Sequence, residues 1–289
     1  MLEHTGNLKK RHIQEEASEK IELKNVNVVI PRTHVHRQME LSSAIRNVCP
    51  EDKSPPKLWT AKECPFAERA VIGLHELGVQ FEAVEVDLKN KPTSLFEVNS
   101  KGLVPAMKDQ GNCINDSYII LQYIEEMWSS NEKSLLPRIP ADRAIARTWC
   151  DFINKNVASV FYEVLLKESD EEREAAKVKL LSSIKILDEA LQQYPSGPFF
   201  FGGNFGMVDI MLAPHVERFG ALKHFRGFEV PENDEYKHFH LWWKNVQEHP
   251  SFQPARVDNE FIIQVYKSYA ENKANSKVAE AVRKGQVIP

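Results

Sequence analysis

The hydrophobic rhythm of this sequence changes once, around Pro137 and Pro140, and that change limits the folds open to it. Upstream, short apolar or alternating stretches interleave with helical ones. Downstream, every long segment carries the 3.6-residue period. The spacing predicts a strand over Lys57-Leu-Trp-Thr60 and a helix from Pro65 to Leu77 closed by Gly78. It then predicts a strand over Phe81 to Val86, a polar loop through Lys89-Asn-Lys-Pro92 and a short helix ending near Val98. A third strand over Leu103 to Met107, a turn at Gly111-Asn112, a fourth strand at Cys113-Ile114 and a helix from Ser117 to Trp128 complete the unit. That β-α-β-α-β-β-α order suits a small mixed sheet with helices packed on it.

The second half reads as all-helical. Ile145, Trp149, Phe152, Val157, Val160, Phe161 and Val164 mark one buried stripe. Ser169-Asp-Glu-Glu172 is a capping box for a helix whose apolar positions are Val178, Leu181, Ile184, Leu187 and Leu191. Further helices are expected over Val208 to Phe219 and Phe239 to Val246. The expected organisation is an N-terminal extension over 1–56, a mixed domain over 57–136, a helical domain over 141–270 and a frayed tail over 271–289. Within the extension, Val26 to Ile30 fits either a paired strand or a segment packed on the body.

At 289 residues, 42% hydrophobic and 27% charged, the chain is an ordinary globular sequence with a net charge of −4. That charge gives no case for nucleic acid or an anionic membrane as partner. No apolar run approaches a bilayer span and the start carries no signal-peptide core, so a cytosolic address is expected. Cys49, Cys64, Cys113 and Cys150 form no metal-type pair and are expected reduced. Cys113 and Cys150 read as small buried hydrophobes, and Cys49 as an exposed thiol in the leader.

Cys64 is different. It stands between a strand and Pro65, which suits the first helical position, so its sulfur can accept hydrogen bonds from the free amides of Phe66 and Ala67. Those amides and the helix dipole favour thiolate, and a nucleophile at neutral pH is expected. Ala67 stands where a dithiol protein would keep its second cysteine, so the chemistry is monothiol. Two further features share the domain. Val104-Pro105 in a strand fits an edge proline, or a cis peptide whose Val104 amide and carbonyl face outward to pair with an extended peptide. Asp116-Ser117 at a helix start fits a simple N-cap, or a receptor for an amino-acid head group.

Cys64-Pro-Phe-Ala67, Asn90-Lys91-Pro92, Gly102-Leu-Val-Pro105 and Asp116-Ser117, in this order and followed by a helical domain, resemble a glutathione transferase of the omega class. The resemblance covers about residues 57–265; the chloride intracellular channel family, a near relative, also has Cys-Pro-Phe, but its acidic loop and channel-type leader are not evident in this sequence. It implies an α+β thioredoxin-like N-terminal domain followed by an all-α helical bundle, with glutathione as cosubstrate and small electrophilic or disulfide compounds as partners. A homodimer is also implied.

By position, Cys64 resembles the thiol that forms a mixed disulfide with glutathione, beside Phe66. Val104 and Pro105 resemble the residues that pair with its cysteinyl part, Asp116 and Ser117 those that hold the γ-glutamyl end, and Lys91 the one that meets the glycyl carboxylate. Asp116 replaces the more usual Glu. Phe201-Gly-Gly-Asn204 followed by Asp209 resembles the family's folding motif, with Gly206 where Ser or Thr is usual. Arg218 and Trp242 fall at positions that resemble a second-substrate pocket. The implied activity is a thioltransferase or reductase acting on glutathione mixed disulfides, dehydroascorbate or glutathionyl adducts of α-keto compounds. Two alternatives stay open. One is a conjugating transferase, for which Thr60 is the nearby hydroxyl; the other is a non-catalytic binding protein of the same fold.

Overall fold

The computed structural model describes residues 54–193 and 196–289. The Val26 to Ile30 segment, Cys49 and most of the expected extension lie outside the described residues. Four strands, β1 (Lys57–Thr60), β2 (Glu82–Glu85), β3 (Ala106–Asp109) and β4 (Asn112–Asn115), form one sheet in the order β2-β1-β3-β4. β1 runs parallel to β2 with Trp59 opposite Val84, and antiparallel to β3 with Leu58 opposite Met107. The parallel pair requires a crossover, which is α1 (Pro65–Glu76). α2 (Thr93–Val98) and α3 (Ser117–Trp128) complete the unit.

β1 is central, and its alternation divides the core. Leu58 faces α1 and α3 in the main apolar body, while Trp59 faces Val86, Leu95, Val98 and Ala106 on the other side. β3 starts three residues later than expected, because Leu103–Pro105 precede the ladder and the Val104–Pro105 peptide is cis. The hairpin turn is Gln110–Gly111 rather than Gly111-Asn112. Both residues have positive φ, 47° and 80°, as the two-residue turn that matches strand twist requires. Cys113 is exposed, not buried, since it sits opposite exposed Lys108 on the outward face of the edge strand.

The helical half contains α4 (Pro140–Ile153), a π-helical turn over Asn154–Ala158, α5 (Ser159–Leu166), α6 (Asp170–Gln192), α7 (Met207–Glu217) and α8 (Phe219–Arg226). A 3₁₀ turn over Asp234–Tyr236, α9 (Lys237–Glu248), α10 (Asn259–Ala270) and α11 (Lys277–Arg283) follow. The buried face of α4 is Ala146, Cys150 and Ile153, continued by Val157, Val160, Phe161 and Val164. Ile145 is exposed, because it lies one residue, about 100°, off that face. Val178 is exposed on α6 because it lies two residues, about 200°, from Ala176 and Leu180, which with Ile184, Leu187 and Leu191 point inward. The Ser169 hydroxyl accepts the Glu172 amide at 3.1 Å, capping α6 as the sequence indicates.

Residues 271–289 are not a frayed tail. α11 is capped by Ser276 Oγ, packs on α5 and buries Ala279, Ala281 and Val282, and Lys277 Nζ donates to the Lys101 carbonyl at 3.0 Å. One apolar body runs through both halves, with α1 against α7 and α3 against α1. No helix among the described residues is long and apolar enough to cross a membrane.

Candidate active site around Cys64

The turn that carries Cys64 is held from three directions. The Cys64 amide donates to the Ala61 carbonyl at 2.9 Å, and the Lys62 amide donates to Glu85 Oε1 at 2.9 Å. Arg218 Nη2 reaches the Lys62 carbonyl at 3.1 Å from the helical half. Cys64 takes extended backbone angles as the N-cap of α1, with Pro65 as the first helical residue. Its thiol lies 3.7 Å from the Val104 carbonyl, to which it donates. The Phe66 and Ala67 amides pull the thiol pKa down, as does Arg218, but neither amide makes a full cap hydrogen bond. Cys64 is half-buried, and its desolvation is the larger effect, raising the thiol pKa above its ordinary value. That direction runs against the expected neutral-pH thiolate, although the helix amides pull the way the sequence indicates.

Beside the thiol, Val104 and Pro105 form the cis segment ahead of β3, so the cis alternative is the one observed. Asp116 is the N-cap of α3, its Oδ1 accepting from the Tyr118 and Ile119 amides at 2.8 and 3.1 Å. Its backbone sits at φ 76°, ψ 130°, a region that costs an L-residue about 1–3 kcal/mol, and the two cap bonds offset part of that strain. The carboxylate remains exposed. Ser117 is buried, and its hydroxyl accepts from Arg69 Nη1 at 3.3 Å, which leaves its own hydrogen to donate. Lys91 Nζ donates to the Gly102 carbonyl at 2.7 Å. Burial and the neighbouring Lys277 lower its pKa. Phe66 stacks 6.5 Å from Tyr162 and lies 5.0 Å from the Arg69 guanidinium.

The two expected pocket residues are placed elsewhere. Arg218 is wholly buried, with Nη1 donating to Glu68 Oε2 at 2.6 Å and to the Pro214 carbonyl at 2.7 Å. Trp242 is wholly buried too, donating from Nε1 to Asp209 Oδ1 at 2.8 Å. Neither presents a side chain to solvent, so the pocket expectation is corrected: one is an ionic tie, the other core. Thr60 is also buried, within β1.

Sequence reading missed three phenols. Tyr162 of α5 and Tyr266 and Tyr269 of α10 form a ring cluster, with centroids 5.3–6.3 Å apart. All three stand close enough to Cys64 for a thiolate there to raise their pKa, although burial is the larger cause in each. With their pKa values raised, all three phenols keep their protons. Their only signal in the sequence is a tyrosine at helical spacing, which reads equally well as core. Among the described residues no cluster of groups could hold a metal ion.

Residues 63–127 match the glutathione S-transferase N-terminal domain family, and residues 170–244 match its C-terminal domain family. A probable glutathione S-transferase, parC, from Nicotiana tabacum is 34% identical over 203 residues, 70% of this chain and 89% of that protein. Glutathione S-transferase omega-1 from Rattus norvegicus is 30% identical over 205 residues, covering 70% of this chain and 80% of that one. The solved Tau class glutathione S-transferase from mango, Mangifera indica, superposes with a TM-score of 0.69 at 25% identity. That match covers 75% of this chain and all of the mango chain.

Proposed function

The chain belongs to the glutathione S-transferase family, and from that premise we propose that it is a cysteine-dependent, omega-like member acting as a glutathione thioltransferase or reductase. The observation that carries this reading is the residue at the N-terminus of α1. It is a thiol, with the Val104 carbonyl 3.7 Å away and no second cysteine in the first turn.

In the proposed reaction the Cys64 thiolate attacks the glutathione sulfur of a mixed disulfide. A Cys64–glutathione disulfide forms and the acceptor leaves as its thiolate. A second glutathione thiolate then attacks the glutathione sulfur, releasing Cys64 and oxidised glutathione. In this reading Val104 pairs with the cysteinyl backbone of glutathione. A peptide N–H arriving at the Val104 carbonyl competes with the Cys64 thiol for that acceptor, and losing the bond favours the thiolate. Ser117 donates to the γ-glutamyl carboxylate, Asp116 accepts from its ammonium group, and Lys91 meets the glycyl carboxylate. Glutathione mixed disulfides, dehydroascorbate and α-keto adducts are the candidate substrates.

The raised Cys64 pKa favours one second reading. A thiol that keeps its proton can donate a hydrogen bond to the sulfur of bound glutathione, and the enzyme then conjugates glutathione to electrophiles. Assays of hydroxyethyl disulfide reduction and chloronitrobenzene conjugation, on the native chain and Cys64→Ser, separate the two. The thioltransferase reading expects the reduction to vanish in Cys64→Ser, with conjugation unchanged or higher. Undiminished reduction in that variant sinks it.

A further inference from the structure

We propose that Arg218 is a positioning residue for Cys64. It ties the turn bearing the thiol to the helical half and sets a positive charge against the thiolate, with the Glu68 and Glu217 carboxyls gathered beside it. The proposal rests on the reading above only in taking Cys64 as the reacting group.

The geometry is a buried knot. Arg218 Nη2 holds the Lys62 carbonyl at 3.1 Å, two residues before Cys64, and Nη1 holds Glu68 Oε2 at 2.6 Å, one turn after it. The Glu68 amide itself donates to the Cys64 carbonyl at 3.1 Å. One guanidinium from the α7–α8 junction therefore spans the segment that presents the thiol. Its Nη1 also lies 3.5 Å from Glu217 Oε2. Glu68 Oε1 is buried with no ordinary donor. Glu68 sits closer to the cation than Glu217, and burial pushes both carboxyls up, Glu217 to about 8 with the Glu68 charge adding to it.

Every element around the knot contributes to its charge. Glu68 and Arg69 come from α1, Glu63 and Cys64 from the preceding turn, and His215 and Glu217 from α7. Tyr266 comes from α10, and Arg256, 4.0 Å from Glu217, from the loop before it. His215 is kept neutral by burial and by the two arginines, and burial keeps Tyr266 protonated. Glu217 then titrates below Cys64, whose thiol burial pushes above its ordinary value. With Glu68 ionised and Glu217 protonated the Arg218–Glu68–Glu217 group is neutral, and with both ionised it carries one negative charge. Raising pH past the Glu217 transition therefore opposes ionisation of Cys64.

The test is iodoacetamide alkylation of Cys64 in the full chain from roughly pH 7 to 11, with midpoints beyond the window taken from the slope of the rate below it, resolved by peptide mass from the other cysteines. Melting temperature and circular dichroism confirm folding. Arg218→Met is expected to raise the alkylation midpoint by about one pH unit and slow the neutral-pH rate about tenfold. Arg218→Lys keeps the charge without the two-pronged reach and should give a smaller rise. Glu217→Gln removes the charge that the native protein gains at high pH, and should lower the midpoint. A native midpoint in either folded arginine variant overturns the proposal. So does a Glu217→Gln profile that superimposes on the native one, and this arm decides if neither arginine variant folds. Alkylation uses no glutathione, so failed disulfide exchange alongside these shifts contradicts the thioltransferase reading and leaves Arg218 in its role.

Discussion

Arg69, five residues beyond the thiol, shows how much of this site depends on a single buried group. It donates to the Met211 carbonyl at 3.0 Å, Asn154 Oδ1 at 2.9 Å and Ser117 Oγ at 3.3 Å, and lies 3.4 Å from His215 Nδ1. None of these partners is a carboxylate, so desolvation lowers its pKa to about 10. The guanidinium still joins α1, α3, the π-helical turn and α7 at one point. Arg69→Met keeps much of the volume but strands Asn154 Oδ1 without its donor, removes the donor from Ser117 Oγ and takes a second bond from the Met211 carbonyl. The expected cost is about 2–4 kcal/mol, measured by urea unfolding, and a loss well under 1 kcal/mol contradicts the linking role. The same contest between burial and local donors operates at Cys64. Its local half, the cap and the amides, was legible in Cys64-Pro65-Phe66-Ala67. Its desolvation was not, because that depends on tertiary packing around the turn and not on the local string.

At the scale of elements, the start of α7 shows a missing cap replaced by tertiary contact. Gly206 has no side chain to accept a helix amide. The Leu135 carbonyl, from the linker between the halves, accepts the Met207 amide at 2.6 Å instead. A Cβ on Gly206 would come within 3.0 Å of that same carbonyl, which accounts for glycine where Ser or Thr is usual. Asp209 then gathers the Gly206 amide, the Phe200 amide and the Trp242 indole at 2.8–3.2 Å. Asp209→Ala leaves three buried donors without an acceptor, and about 3 kcal/mol or more of stability should be lost, read by urea unfolding. Retention of native stability contradicts the account.

Elements with strong local punctuation were legible in this sense: Pro65 and Gly78 bounded α1, Ser169 opened α6, and Asp116 opened α3. Register errors came where one residue decides a face, at Ile145 and Cys113. α11 was missed because its short apolar set, Ala279, Ala281 and Val282, reads as a helix only once α5 is there to cover it.

Across the whole molecule, the thiol belongs to the mixed domain while several groups that act on it or respond to its charge do not. Arg218 and Tyr162, Tyr266 and Tyr269 come from the helical half, and α11 reaches back to the Lys101 carbonyl through Lys277. The positions of the motif residues were legible from the first domain because they are set locally, by helix caps and by the segment before β3. The second half was legible as architecture but not as chemistry, since a tyrosine or arginine on a helix declares its use only after packing. The central claim is that Cys64 exchanges sulfur with glutathione. Intact-mass spectrometry after incubation with oxidised glutathione tests it directly. The account predicts a gain of one glutathione, mapped to Cys64, reversed by excess reduced glutathione and absent in Cys64→Ser. An unmodified Cys64, or an adduct confined to other cysteines, contradicts it.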